Sequence, residues 1–303
     1  MSPFLSRRAF LGQAAAVTAS LAVTRPTRAI DPIGRTRPSH LKLSIAAYSY
    51  RDFLQGKNGQ KPRMDLFGFV DLAADMALDA VELTSYYFPA DVDNDYLHRL
   101  QRHAFRLGLD VSGTSVGNNF CLPPGPERDK QLALVRTWVD HAATMDAPVI
   151  RIFAGSVPKG ASEEAAVELA IDGIKASLPY AEEHGVTLAL ENHGGITATP
   201  AQLLKLVKAV DAPNFGVNLD TGNFRGEDPY AELAELAPYA VNVQVKTEIS
   251  RKGQKKEPAD LSKFIDILRD AKYSGYVVLE YEAPEDPMTA IPEHIKTLRS
   301  LIS

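Results

Sequence analysis

Apolar positions along this chain follow two alternating rhythms. Short runs that are apolar at almost every position cover residues 41–48, 80–84, 109–114, 148–154, 186–191, 215–220, 240–246 and 276–281. Continuous rather than every-other-residue apolarity marks parallel strands covered on both faces. Between and after these runs, residues 64–78, 95–107, 128–145, 162–184, 200–210, 228–236, 261–271 and 287–302 repeat apolar side chains at three and four, the helical period. Start signals agree: Ser162-Glu163-Glu164 offers a cap with first-turn acids, and Thr199-Pro200 and Asp228-Pro229 place proline just inside a start. Gly108 and Gly185 stand where helices should end. Eight strand–helix units in 303 residues predict an α/β fold, a single (β/α)8 TIM barrel over residues 41–303. The alternative is an open doubly wound sheet, but no Gly-x-Gly-x-x-Gly follows the first strand.

Four polar side chains interrupt the pattern at one structural position. The runs VTLALENH, FGVNLDTGN, AVNVQVKTE and GYVVLEYE carry Glu191, Asp220, Gln244 and Glu280 near their ends. A buried acid or amide is costly unless a cation or polar group meets it. In a barrel, strands five to eight would bring all four to the C-terminal mouth, where active sites form. Two-residue alternation puts His193 on the face of Glu191, Asn218 with Asp220, Asn242 and Lys246 with Gln244, and Glu282 with Glu280. Three carboxylates crowded in such a mouth repel one another, and a divalent cation relieves that. Three carboxylates and an amide oxygen, without thiolate, point to Mn²⁺ or Mg²⁺ rather than Zn²⁺.

Composition changes the picture mainly at the N-terminus. Ser6-Arg7-Arg8-Ala9-Phe10-Leu11 precedes a weakly apolar run, 14–23, and a small-residue cleavage site at Thr27-Arg28-Ala29. This order predicts a signal peptide over residues 1–29, and the twin arginines resemble a Tat-pathway signal. Residues 30–40 then form a linker. The expected destination is the periplasm, with no stable membrane anchor, because the apolar run is too short to span a bilayer. Removing Arg7, Arg8, Arg25 and Arg28, with no acid among the first twenty-nine residues, takes the net charge from −5 to −9. That balance disfavours nucleic acid as a partner. Cys121 is the single cysteine, so no intrachain disulfide forms. The one charge run, 246–257, is expected to be a solvated loop after the seventh strand.

LALENHGG, VNLDTGN, VQVKTE and VVLEYE resemble the sugar isomerase/epimerase group of the xylose isomerase-like TIM barrels (AP endonuclease family 2), over essentially the whole chain after the signal. The resemblance implies that a Glu, an Asp, a His and a Glu on strands five to eight hold one divalent metal and that the two Glu act as acid and base. Carried over, these roles fall on Glu191, Asp220, Gln244 and Glu280, with Glu191 and Glu280 catalytic. Gln244 replaces the usual His, and Asn223, three after Asp220, replaces a second His. His193, Asn223 and Lys246 are the substrate-binding candidates; Lys246 matches a lysine common in the group.

The expected activity is a metal-dependent isomerase or epimerase that removes a proton α to a carbonyl of a non-phosphorylated sugar through an enediolate. The same enolisation with a β leaving group would make a lyase acting on a 3-keto-glycoside. A non-catalytic sugar-binding protein is the alternative of another class. An endonuclease-IV-like repair enzyme is disfavoured by seven histidines and the acidic balance. The sequence leaves the choice of sugar and homo-oligomerisation open.

Overall fold

The computed structural model describes residues 31–57 and 59–303, so the expected signal peptide lies outside the described residues. The expected barrel is present. Its parallel strands are β1 (Leu41–Ala46), β2 (Ala80–Thr84), β3 (Asp110–Ser115), β4 (Val149–Ile152), β5 (Thr187–Glu191), β6 (Phe215–Asp220), β7 (Ala240–Val245) and β10 (Gly275–Leu279). They close in the order β1-β10-β7-β6-β5-β4-β3-β2. Closure leaves no unpaired edge.

The helices cover the outside: α1 (Arg51–Leu54), α2 (Leu66–Asp75), α3 (Asn94–Arg106), α4 (Pro126–Thr144), α5 (Glu163–Glu183), α6 (Pro200–Val210), α7 (Pro229–Leu236), α8 (Leu261–Asp270) and α9 (Pro287–Ile302). Their starts follow the sequence signals. Ser162 Oγ accepts from Ala165 N, and Thr199 forms a reciprocal capping box with Gln202 ahead of Pro200; each such cap stabilises by about 1 kcal/mol. Gly108 and Gly185 take φ of +80° and +69° after α3 and α5, the left-handed stops expected of them. Leu203, Leu206 and Val207 of α6 are wholly buried in the core, each contributing roughly 1.5–3 kcal/mol of burial.

Part of the linker closes the other end of the barrel. Ile33 N donates to Pro238 O at 3.0 Å, and Arg35 donates to Ala240 O at the first residue of β7.

Of the differences from expectation, two boundaries and one loop bear on the site. β1 ends at Ala46 because Ala47–Tyr50 turns into a 3₁₀ helix, and β10 ends at Leu279, so Glu280 follows its strand instead of closing it. The charged segment after β7 is a hairpin rather than an irregular loop, although its tip, Lys252–Lys256, is solvated: β8 (Glu248–Ser250) pairs antiparallel with β9 (Lys256–Pro258). Ile249 is buried beneath it, Gly253 turns with φ +70°, and Lys256–Glu248 and Arg251–Glu257 pair across it at 3.5 and 2.9 Å.

Pairing register slips at two places, between Val81 and Glu82 on β2 and between Val217 and Asn218 on β6. Such irregularities re-aim side chains. Both fall beside residues that line the polar interior of the barrel.

Candidate active site

The polar interior is built in two tiers. The deeper one centres on Glu82 of β2, which is 1% exposed. Its Oε2 accepts from Asn242 Nδ2 at 3.0 Å and its Oε1 from Gln244 Nε2 at 2.7 Å. Asn242 also donates to Asn218 Oδ1 at 2.8 Å, and Asn218 Nδ2 donates to Gln244 Oε1 at 2.7 Å. Every donor in this ring is directed, and the chain of donors ends on one doubly accepting carboxylate. Burial, followed by the nearby charge of Glu280, pushes the Glu82 carboxyl up to about 7, against the pull of the two amide donors and Arg151.

The outer tier lies at the strand ends and is held by charge. Glu191 sets Oε2 2.9 Å from Arg151 Nε and accepts from Asn223 Nδ2 on Oε1 at 2.9 Å. The Arg151–Glu191 contact is an ion pair without hydrogen-bond alignment, so Arg151 Nε keeps no hydrogen-bond partner; Arg151 Nη1 donates to Val116 O. Burial drives Glu191 well above the ordinary carboxylate range despite the opposing pull of Arg151.

Asp220 is fully buried; its Oδ1 accepts from Gly222 N at 2.8 Å while Oδ2 has no hydrogen-bond donor. Burial pushes Asp220 up to about 7, against the attraction of Lys246. Asn192 fixes its backbone by exchanging two hydrogen bonds with Asp220 N and O. Lys246 Nζ stands 3.5 Å from Asp220 Oδ2, 3.2 Å from Glu280 Oε2 and 2.9 Å from Glu282 Oε2. Burial works against the ammonium, but these carboxylates outweigh it and keep Lys246 protonated far into the alkaline range.

The structure therefore brings Glu191, Asp220, Gln244, Glu280, Asn223 and Lys246 to one end of the barrel. They do not form an open oxygen cage. Gln244 spends its amide oxygen on Asn218 and its nitrogen on Glu82. Glu191 faces Arg151, and Lys246 stands against Asp220 and Glu280. Among the described residues no three His, Cys, Asp or Glu side chains are arranged to hold a metal ion. The expected four-ligand site for Mn²⁺ or Mg²⁺ does not fit the donors as they stand.

His193 sits apart from the carboxylates. Its ring packs 4.5 Å from that of Phe153, which Arg151 covers at 4.0 Å on a ring face. Burial and the charges of Arg151 and Lys246 lower its pKa, so the imidazole is neutral at pH 7. It lines a cavity of about 500 Å³ with Asn118, Asn119, Phe153 and Thr197, large enough for a monosaccharide. A second cavity of about 740 Å³ on the other side of the mouth is lined by Arg51, Arg63, Lys256 and Glu282 among others.

Sequence reading overlooked Glu82 and Arg151. Both carried a usable signal, a charged residue inside an otherwise apolar strand run, VELT and VIRI. Both lie inside their strands, β2 and β4, so a search of strand ends does not reach them.

A family model described as a xylose isomerase-like TIM barrel matches residues 70–301. An uncharacterised protein of Methanocaldococcus jannaschii is 24% identical over 163 residues, 50% of this chain and 56% of that protein, so the chain spans little more than half of this curated relative. Among solved structures, an L-ribulose 3-epimerase is similar with a TM-score of 0.69 at 17% identity, covering 86% of this chain and 94% of that one. A D-psicose 3-epimerase from Clostridium cellulolyticum H10, solved with D-tagatose, gives 0.66 at 18% identity, covering 86% and 91%. At these identities the likeness is one of fold.

Proposed function

We propose, from the premise that this chain belongs to the xylose isomerase-like TIM barrel family, that it is a sugar isomerase or epimerase working by proton abstraction α to a carbonyl. The observation that carries this reading is the pair of buried carboxylates at the mouth, Glu191 beside Arg151 and Glu280 beside Lys246, which it shares with Asp220 and Glu282. The epimerase names of similarly folded proteins support it.

In this reading a sugar enters from the side of Asn118, Phe153 and His193. Glu191, whose raised pKa makes it a stronger base than an ordinary carboxylate, takes the proton next to the carbonyl. The bonding pair of that C–H becomes the carbon–carbon double bond of the enediolate, and the carbonyl oxygen gains the charge. The ammonium of Lys246 and the guanidinium of Arg151 are the preformed positive groups that meet it. Glu280 returns a proton; delivery to the opposite face inverts the centre, and delivery to the adjacent carbon, with the neighbouring hydroxyl proton passing to the former carbonyl oxygen, gives the isomer. Asn223 positions Glu191 through its hydrogen bond. The donors do not fit a divalent ion, so each of these steps falls to the chain's own groups.

We place the substrate among free sugars or their oxidised derivatives. That choice rests on Tat export to the periplasm, read from Arg7 and Arg8, and a carbohydrate is then the one small-molecule partner required. The test is exchange in D₂O, followed by NMR, with free ketoses and 3-keto-glycosides. Solvent deuterium should enter the carbon beside the carbonyl, and Glu191→Gln and Glu280→Gln should each slow that exchange about 10²–10⁴-fold. Full exchange in both variants would sink the reading. Release of an aglycone would move it to the lyase, and no exchange with any sugar would move it to a binding protein.

A further inference from the structure

We propose that the Lys246 ammonium occupies the place of a divalent ion at this barrel mouth, and that the site is built to work without metal. The inference deepens the enolisation reading above by naming the electrophile. It stands on four features of the geometry, the first two of which share the Lys246–Asp220 contact.

The first is position. Lys246 Nζ lies within 3.5 Å of carboxylate oxygens on Asp220, Glu280 and Glu282, at the point where the strand-end acids converge. A divalent ion bound by Asp220 and Glu280 needs about 2.0–2.2 Å to each oxygen, which the ammonium between them prevents. The second is Asp220 Oδ2, which has no hydrogen-bond partner and stands 3.5 Å from this same ammonium.

The third is Gln244. It occupies the ligand position on β7, yet both ends of its amide are bound into the deeper ring by Asn218 and Glu82. The amide acts as a structural strut. The fourth is the fit of the lysine stem. The backbone N of Lys246 donates to Thr221 Oγ1 at 2.9 Å, and a Cβ added at Gly222 would meet Lys246 Cγ at 2.6 Å. Gly222 thus leaves a slot that this side chain fills. The Tyr48 ring, 5.9 Å from Nζ, borders the head group.

With Lys246 in this role the proton-transfer step needs no other cation. The substrate C–H bond breaks to a carboxylate, its electron pair moves toward the carbonyl oxygen, and that oxygen becomes an anion beside the ammonium. Proton return restores both groups.

Manganese itself is the probe, because its EPR signal reports binding without any assay of activity. Wild-type protein stripped with EDTA, titrated with Mn²⁺, should leave the free-ion signal unchanged at equimolar concentrations. Lys246→Met opens the carboxylate cluster and should bind one Mn²⁺ at least about tenfold more tightly than wild type, with a rise in thermal midpoint on adding the ion. Gly222→Ala, which crowds the stem, should fall between the two. Stoichiometric Mn²⁺ binding by wild type would overturn the proposal whether or not the variants fold. So would equal affinity in wild type and Lys246→Met. Failure of the D₂O exchange in a wild type that leaves Mn²⁺ free would defeat the enolisation reading, and with it the role of Lys246 as electrophile, while the ammonium would still hold the place of the ion.

Discussion

The two polar tiers inside this barrel solve the same burial problem differently. In the deeper one, Glu82, Asn242, Asn218 and Gln244 satisfy one another through four directed hydrogen bonds of 2.7–3.0 Å. At the rim, Glu191, Asp220, Glu280 and Glu282 are met by Arg151 and Lys246 mostly through charge, and two polar atoms, Asp220 Oδ2 and Arg151 Nε, have no hydrogen-bond partner. A closed hydrogen-bond ring specifies and rigidifies a core. Groups held by charge alone keep free lone pairs and donors, which a substrate oxygen can use. The difference separates scaffold from working surface within a few side chains.

The largest expected effect sharpens that division. Glu280→Gln should lower exchange about 10²–10⁴-fold, yet shift the thermal midpoint little, because Lys246 keeps Asp220 and Glu282. Glu191→Gln should lose comparable activity and some stability as well, since Arg151 then loses its nearest carboxylate in a buried site. If Glu280→Gln unfolded the protein while retaining activity per folded molecule, the rim would be scaffold and the division would fail.

Next in size is a pH effect from the deep tier. Glu82 moves from an ordinary 4.5 to about 7, chiefly through burial. A carboxyl whose folded value is raised holds its proton more tightly in the folded state than in the unfolded chain. Stability is therefore full below the ordinary value and declines as pH rises toward 7, by up to about 3 kcal/mol in all. Urea unfolding between pH 4 and 8 should show this decline, and Glu82→Gln should flatten it by a comparable amount. Parallel curves for the two proteins would mean that Glu82 stays ionised in its amide ring.

Gln244→Leu probes the same tier at somewhat smaller cost. It strands Asn218 Nδ2 and removes one of the two donors to Glu82, at about 1–3 kcal/mol for each group left unmet. The loss should appear in the urea midpoint with the chemistry per folded molecule largely kept. A selective loss of exchange at unchanged stability would place Gln244 in the working tier after all.

How much of this was legible in the sequence differs between the tiers for a physical reason. Strand and helix periods gave the barrel, since each element states its own burial pattern locally. Glu191, Asp220, Glu280 and Lys246 were visible as charges at the ends of apolar runs. The pairing of Glu82 with Asn242 and Gln244 was not. Asn242 reaches Glu82 across 160 residues, and Gln244 reaches it across 162, a pairing created by the closing of the barrel. Register slips beside Glu82 and Asn218 decide where those side chains aim, and period-two reasoning contains no such slips. The choice of cation is set at the same level: carboxylate count suggests an ion, but which positive group neutralises the acids depends on where Lys246 and Arg151 fold.

The smallest effect tests the hairpin, the segment whose order the charge run concealed. Arg251 Nε lies 2.9 Å from Glu257 Oε1 across it, with side chains 28% and 43% exposed. An ion pair so open to solvent is worth roughly 0–1 kcal/mol, so Glu257→Gln should shift the urea midpoint barely, and less in high salt. Ile249 is only 1% exposed beneath the same strands, and Ile249→Ala should cost about 2–5 kcal/mol. If the hairpin is held by its apolar anchor, hydrogen exchange of β8 and β9 amides will quicken in Ile249→Ala and stay slow in Glu257→Gln. The opposite order would make the charges its organising force, and the boundary between charge-held and packing-held regions would then run through the hairpin too.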